Sequence, residues 1–240
     1  MKEPPRRTLE RVLTFQFRLE DVMAFDKRHL LLGLAFTWIV GIGRYWDDPE
    51  ANLLQHSGLG SVVYVFVLAG IVFLIGAFVL DAERWTPFRV LTFISLTSPP
   101  ALLYAIPVER FMHPKDALSL NLLFLAVVAI YRLALLMRFA YLIAGTKRSA
   151  LIVTLLPLCV IVVVIALLNL EYATLGVMGG LRGDASAATR ALQVVVFLGI
   201  LAIPVGLVLF LAWLILGWTV QMDRRRARRA AKAEHPPKNC

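Results

Sequence analysis

The sequence has few charged residues and few cysteines, and both shortages limit what kind of protein it encodes. Charged residues make up 17% of the 240 residues and hydrophobic residues 59%, whereas soluble domains average about 25% and about 45–50%. The two cysteines, Cys159 in an apolar run and Cys240 at the last position, predict neither a disulfide framework nor a metal site. We therefore expect no large soluble domain and no disulfide-stapled fold.

Apolar segments of membrane-spanning length fill the chain instead. Six of them approach the roughly 20 residues that a helix needs to cross a bilayer, and they cover residues 30–46, 61–80, 88–108, 117–144, 150–170 and 193–220. We predict an all-α fold, a polytopic transmembrane helical bundle with six spans. The membrane domain would cover 29–220, between a cytoplasmic amphipathic segment at 1–28 and a cytoplasmic polybasic tail at 221–240.

Basic residues indicate the orientation of the bundle. With both termini inside, the tails and internal turns hold 18 of the 25 lysines and arginines, and the external loops hold five. Cytoplasmic loops carry such an excess, so the count predicts an N-in, C-in protein of the bacterial inner membrane. The same topology accounts for the net charge of +9, and we expect no nucleic-acid partner. The basic run at 224–232 should hold the tail at the anionic inner surface.

The N-terminal segment carries two competing patterns. Six apolar residues are spaced to form one face of a helix along the inner interface: Leu9, Val12, Leu13, Leu19, Val22 and Met23. The stretch 13–20 alternates strictly, which is typical of a strand. A single strand beside a helical bundle has no pairing partner, so the pattern favours the helix.

The third span is interrupted by Pro99 and Pro100. Each proline lacks an N–H and crowds the carbonyl four residues earlier, so the carbonyls of Ser95 and Leu96 should lose their helical partners. Within a membrane such groups must be satisfied by the protein, and the hydroxyls of Ser95, Thr97 and Ser98 lie beside the break. The pattern fits either a kinked structural helix or a broken helix that lines a site.

The fourth span contains Arg132 near its middle, where a lipid-exposed arginine is costly. Asn121 lies eleven residues earlier, which places both side chains on one helix face. We predict an inward-facing polar centre, which either packs the bundle or lines a ligand pathway. Its candidate residues are Arg132, Asn121, Ser95, Thr97, Ser98, Pro99 and Pro100. Arg138, nearer the cytoplasmic end, is expected to reach the headgroups, Asp81 or Glu83.

Three short stretches resemble the Yip family of Rab-interacting membrane proteins and its bacterial relatives. They are the proline-bearing LTSPP at 96–100, IYR at 130–132, and the basic turn GTKR at 145–148. The resemblance covers residues 61–170 and implies a helical bundle without known catalysis, acting in membrane organisation or trafficking. The N-terminal tail of this chain is short, and six spans fit it better than the usual five of the family. No functional residue is carried over.

The predicted function is that of a non-enzymatic inner-membrane protein that scaffolds or assists a membrane partner. The alternative is a small transporter or channel component that uses the broken third span and Arg132. The expected partners are the lipid bilayer and either another membrane protein or a second copy of the chain. No acid, base or metal constellation is apparent in the spans, and we expect no cofactor.

Overall fold

The computed structural model describes residues 4–46, 53–167 and 185–234, and the regular elements within these ranges are all helical. The α-helices are α1 (Pro5–Leu13), α2 (Leu19–Met23), α3 (Lys27–Tyr45), α4 (Leu53–His56), α5 (Leu59–Val79), α6 (Pro87–Leu96), α7 (Pro114–Ala144), α8 (Lys147–Leu167) and α9 (Ala185–Glu234). Two 3₁₀-helices, Pro99–Ala105 and Val108–Arg110, lie between α6 and α7. The predicted all-α class is confirmed.

Four helical segments in the described part of the chain are long and apolar enough to cross a membrane. They are Leu59–Val79, Ser119–Ala144, Lys147–Ile165 and Val196–Arg226, and they match the second, fourth, fifth and sixth predicted spans. The first predicted span falls on α3 and the third on α6 and the following 3₁₀-helix. The count of six and the N-in, C-in orientation stay predictions. Residues 168–170 of the fifth span and 235–240 of the tail lie outside the described residues.

The third span breaks where the two prolines stand. Helix α6 ends at Leu96 after ten residues, and the seven-residue 3₁₀-helix begins at Pro99. Ten α-helical residues extend about 15 Å and seven 3₁₀ residues about 14 Å. Residues 87–105 therefore form two short helical pieces in place of one continuous helix.

The N-terminal segment forms two short helices instead of the predicted single helix at the interface. A turn separates α1 from α2, and in it Phe15 adopts a φ of +59°, which residues other than glycine rarely adopt. Leu9, Val12 and Val22 are buried as the apolar pattern predicted, but Met23 is 40% exposed. Their burial is against the bundle itself, so this segment, residues 4–25, is part of the folded core.

An aromatic stack joins α6 to α7 in the centre of the core. The rings of Phe93 and Phe139 are parallel with centroids 4.1 Å apart, and Trp85 packs against Phe139 at 5.4 Å. Helix α9 packs against α5 and α8, where the Trp213 indole donates a hydrogen bond to the carbonyl of Ile75 (2.8 Å). These contacts hold the helices that surround the meeting point of α6, α7 and the 3₁₀-helix.

Candidate polar centre

Arg132 contacts the end of α6, as its depth in the fourth span predicted. Its Nε donates to the Thr97 hydroxyl at 3.3 Å, and its Nη2 donates to the carbonyl of Ile94 at 3.5 Å. Both acceptors are neutral. Both distances are longer than the usual N–H···O donor–acceptor distance of about 2.9–3.0 Å. The carbonyl of Ser95, which the prolines were predicted to leave without its helical partner, accepts the Ser98 N–H at 3.1 Å in the tightened turn.

The other predicted hydroxyls are used elsewhere. Ser95 donates back to the carbonyl of Leu91 in its own helix. The hydroxyl of Ser98 is 2.7 Å from that of Thr37 on α3, and Thr37 donates to the carbonyl of Gly33 at 2.9 Å. Ser98 therefore joins α6 to α3, while Thr97 alone of the three hydroxyls joins α6 to Arg132.

Sequence reasoning missed Thr37, although its surroundings carry a signal. A Cβ added to Gly33 would lie 2.8 Å from the Cβ of Ser95, so the two helices cross here at very short range. A small residue four positions before a threonine is typical of close helix–helix contacts in membranes. Asn121 lies about 16 Å along α7 from Arg132, so it extends the polar face without joining this cluster.

These two hydrogen bonds alone do not offset the free-energy cost of placing Arg132 within a membrane helix. An arginine at the centre of a membrane helix costs about 2.5–3.5 kcal/mol on insertion scales. Hydrogen bonds between membrane helices return about 0.6 kcal/mol each on average, so two long bonds offset about 1 kcal/mol. Further stabilisation of the guanidinium must come from other neighbours.

One further contact near the 3₁₀-helix was not predicted from the sequence. The guanidinium of Arg44 stacks over the Tyr104 ring, with its Cζ 4.7 Å from the centroid. No sequence signal pointed to this contact, because Arg44 lies near the end of the first predicted span and Tyr104 follows the proline pair of the third.

A second set of contacts joins α7 to the N-terminal segment. The hydroxyl of Tyr131 donates to the carbonyl of Leu13, and Arg138 Nη2 donates to the carbonyl of Phe17 at 2.9 Å. The Arg138 guanidinium also lies over the Phe17 ring, 5.2 Å from its centroid. The expectation that Arg138 would reach headgroups, Asp81 or Glu83 is replaced by this contact with the segment's backbone.

The segment is also fastened to the start of α3. The buried His29 places its Nδ1 2.7 Å from the Asp26 carboxylate and its Nε2 3.1 Å from the Thr8 hydroxyl. The hydrogen bond with the His29 side chain is the main cause that lowers the pKa of Asp26, and the backbone N–H groups of His29 and Arg28 lower it further. Asp26 thus caps α3 in its ionised form.

The polar centre offers hydrogen-bond donors and neutral acceptors. Among the described residues, no group of three or more histidine, cysteine, aspartate or glutamate side chains is placed to hold a metal ion. No family model, curated protein or solved structure matches the chain. The function is therefore argued from the geometry of these residues.

Proposed function

We propose that this chain is a non-enzymatic integral membrane protein that scaffolds or assists a partner in the membrane. The observation that carries the proposal is the folding of the N-terminal segment onto α6 and α7. Phe17 in that segment is fully buried against Phe93, with ring centroids 5.7 Å apart. The rings of Phe15 and Tyr131 make an edge-to-face contact, with their centroids 5.3 Å apart.

This docking gives the bundle a fixed polar surface. Beside uncharged residues such as Met23, the segment exposes charged side chains of both signs: Arg6, Arg7, Glu10, Arg18 and Glu20. A partner that binds them would not have to order the segment first, which removes one of the main costs of association. Mixed charge favours selection of a complementary partner surface over general adhesion to anionic lipid.

The proposed setting is the bacterial inner membrane, with both termini in the cytoplasm. The excess of lysine and arginine in the predicted internal loops supports this orientation. The N-terminal segment would then face the cytoplasm, where a soluble or membrane-anchored partner can reach it. The resemblance to the Yip family agrees with a role in membrane organisation, and we propose that relationship on the three stretches at 96–100, 130–132 and 145–148.

Photocrosslinking in native membranes tests the proposal. A photoreactive amino acid at position 7 should give a discrete adduct, either with another protein or with a second copy of the chain. The adduct should be lost when Phe17→Ala releases the segment, whereas a probe at the exposed position 215 of α9 should be unaffected by that substitution. An adduct at position 7 that survives Phe17→Ala would contradict a role for the docked surface.

Transport is the second candidate, and the break of the third span beside Arg132 favours it. Interrupted helices near the membrane midplane form the binding sites of many transporters. Purified protein in liposomes should then move a small anion, and the rate should fall in Arg132→Lys. Flux that depends on Arg132 would make transport the function in place of scaffolding.

A further inference from the structure

An aromatic layer and a polar layer follow each other where α6 meets α7. The Thr97 N–H donates to the Phe93 carbonyl at 3.2 Å, so Thr97 stands one helical turn, about 6 Å, beyond Phe93. The Phe93 ring stacks on Phe139 of α7, with centroids 4.1 Å apart. The Thr97 hydroxyl accepts a hydrogen bond from Arg132 of α7 at 3.3 Å. The aromatic layer therefore lies directly beside the polar centre, toward the N-terminal end of α6.

The N-terminal segment supplies one ring of the aromatic layer. Phe17 is fully buried, and its ring packs against Phe93 with centroids 5.7 Å apart. Phe93 and Phe139 belong to α6 and α7, whereas Phe17 lies in the connection between α1 and α2. The Phe17 ring therefore leaves the layer when the segment separates from the bundle, while the other two rings stay in place.

The turn that carries Phe17 is both docked and strained. The carbonyls of Leu13 and Phe17 accept hydrogen bonds from Tyr131 and Arg138 of α7. Between them, Phe15 has a φ of +59°, a left-handed conformation that is strained in a residue with a side chain. Such strain persists only while surrounding contacts hold it. Loss of the contacts with α7 therefore favours release of the turn.

We propose that the N-terminal segment is a gate for the polar centre. In the docked state, Phe17 completes the aromatic layer and keeps water and small polar solutes from Thr97, which is 3% exposed. In the released state, the ring leaves and Thr97 and Arg132 are reached from the N-terminal end of α6. Apolar constrictions exclude water by dewetting in membrane channels. The gate uses the docked position of the segment and requires no partner.

Thiol labelling of Thr97→Cys in lipid nanodiscs tests the gate. The probe is 2-sulfonatoethyl methanethiosulfonate, a charged reagent that stays in water, and the modified peptides are quantified by mass spectrometry. With the segment docked, the introduced thiol should react slowly. Phe17→Ala removes the ring and releases the segment, so the labelling rate should rise at least about tenfold. Circular dichroism and gel filtration confirm that each variant is folded.

The native Cys159 is an internal control in the same molecules. It is 6% exposed and belongs to a separate buried cluster between α8 and α9. Its labelling rate should stay within about twofold when Phe17→Ala is introduced. An equal acceleration at Cys159 would show general loosening and overturn the gate. Rapid labelling at position 97 with the segment docked, or an unchanged rate in Phe17→Ala, overturns it as well.

Tyr131→Phe tests release while leaving the aromatic layer complete. It keeps the ring that contacts Phe15 and removes the hydrogen bond to the Leu13 carbonyl, so labelling at position 97 should rise by about threefold or more. Met23→Ala, exposed in the same segment, should leave the rate within about twofold. If Phe17→Ala does not fold, an unchanged rate in folded Tyr131→Phe overturns the gate.

The gate and the proposed partner surface can fail separately. The labelling uses the purified chain without a partner, whereas the position-7 adduct requires native membranes. A position-7 adduct that depends on Phe17, together with unchanged labelling at position 97, keeps the partner surface and overturns the gate. Selective labelling at position 97 without any adduct keeps the gate and contradicts the partner surface.

Discussion

Removal of the Phe17 ring should release the N-terminal segment while the membrane helices stay folded. Phe17 is fully buried, packs against Phe93 and lies under the Arg138 guanidinium. Truncation of a buried phenylalanine to alanine costs about 3 kcal/mol or more. A change of 3 kcal/mol corresponds to a rise of roughly two orders of magnitude in the released fraction.

Limited proteolysis measures that release directly. Arg18 is exposed and directly follows Phe17, so trypsin can cut after it once the docked segment opens. When opening and closing are faster than cleavage, the cleavage rate follows the equilibrium population of the open segment. We therefore expect tryptic cleavage after Arg18 to accelerate about a hundredfold in Phe17→Ala, with the loss of peptides 1–18 followed by mass spectrometry.

Met23→Ala provides the matched control. It lies in the same segment and is 40% exposed, so its truncation should leave the cleavage rate within about twofold of the wild type, as surface substitutions usually change stability by less than 0.5 kcal/mol. Equal cleavage rates in the wild type and Phe17→Ala would refute the docking. Equal acceleration by Met23→Ala would show that general loosening, rather than the buried ring, controls access to Arg18.

Three further outcomes are expected from other parts of the bundle. Gly76→Ala places a Cβ 2.4 Å from the buried Trp85 indole, so the midpoint of thermal unfolding should fall by an amount equivalent to about 1–3 kcal/mol. The control Gly70→Ala, with open space around it, should not lower the midpoint. Arg132→Lys retains the charge but loses the fork that reaches Thr97 and the Ile94 carbonyl, so a loss of about 1 kcal/mol is expected in unfolding of the detergent-solubilised protein. Protection of the Arg28 and His29 amides against hydrogen exchange should persist above pH 3.8 and be lost as the pH falls through the lowered pKa of Asp26; loss of protection at neutral pH would contradict the cap.

The membrane character of the chain was predictable because it depends on runs of apolar residues. The second, fourth, fifth and sixth predicted spans each match a long apolar helix. The proline pair likewise predicted the break, since missing N–H groups act on the local backbone. The N-terminal segment was mispredicted at the turn near Phe15, because the turn is stabilised by Tyr131 of α7, 116 residues away in sequence.

Only part of the polar centre followed from the sequence. The contact between Arg132 and Thr97 was predictable from depth, because an arginine at mid-span needs acceptors at the same level. The pairing of Ser98 with Thr37 depends instead on the crossing of α3 and α6 at Gly33. The stacking of Arg44 on Tyr104 depends on how α3 packs against the 3₁₀-helix, which no local pattern in one sequence encodes.

The two arginines of α7 point to a common rule for cations in this bundle. Arg132 donates to the carbonyl of Ile94 in the last turn of α6, and Arg138 donates to the carbonyl of Phe17 in the turn between α1 and α2. The Ile94 carbonyl also accepts the Thr97 N–H at 3.3 Å and the Thr97 hydroxyl at 2.7 Å, so Arg132 adds a third and longer bond there. A buried guanidinium without acceptors costs free energy, and carbonyls at helix ends and in turns are the ones that a side chain can reach. The acceptors of these two arginines therefore lie at the proline break after α6 and in the connection between α1 and α2.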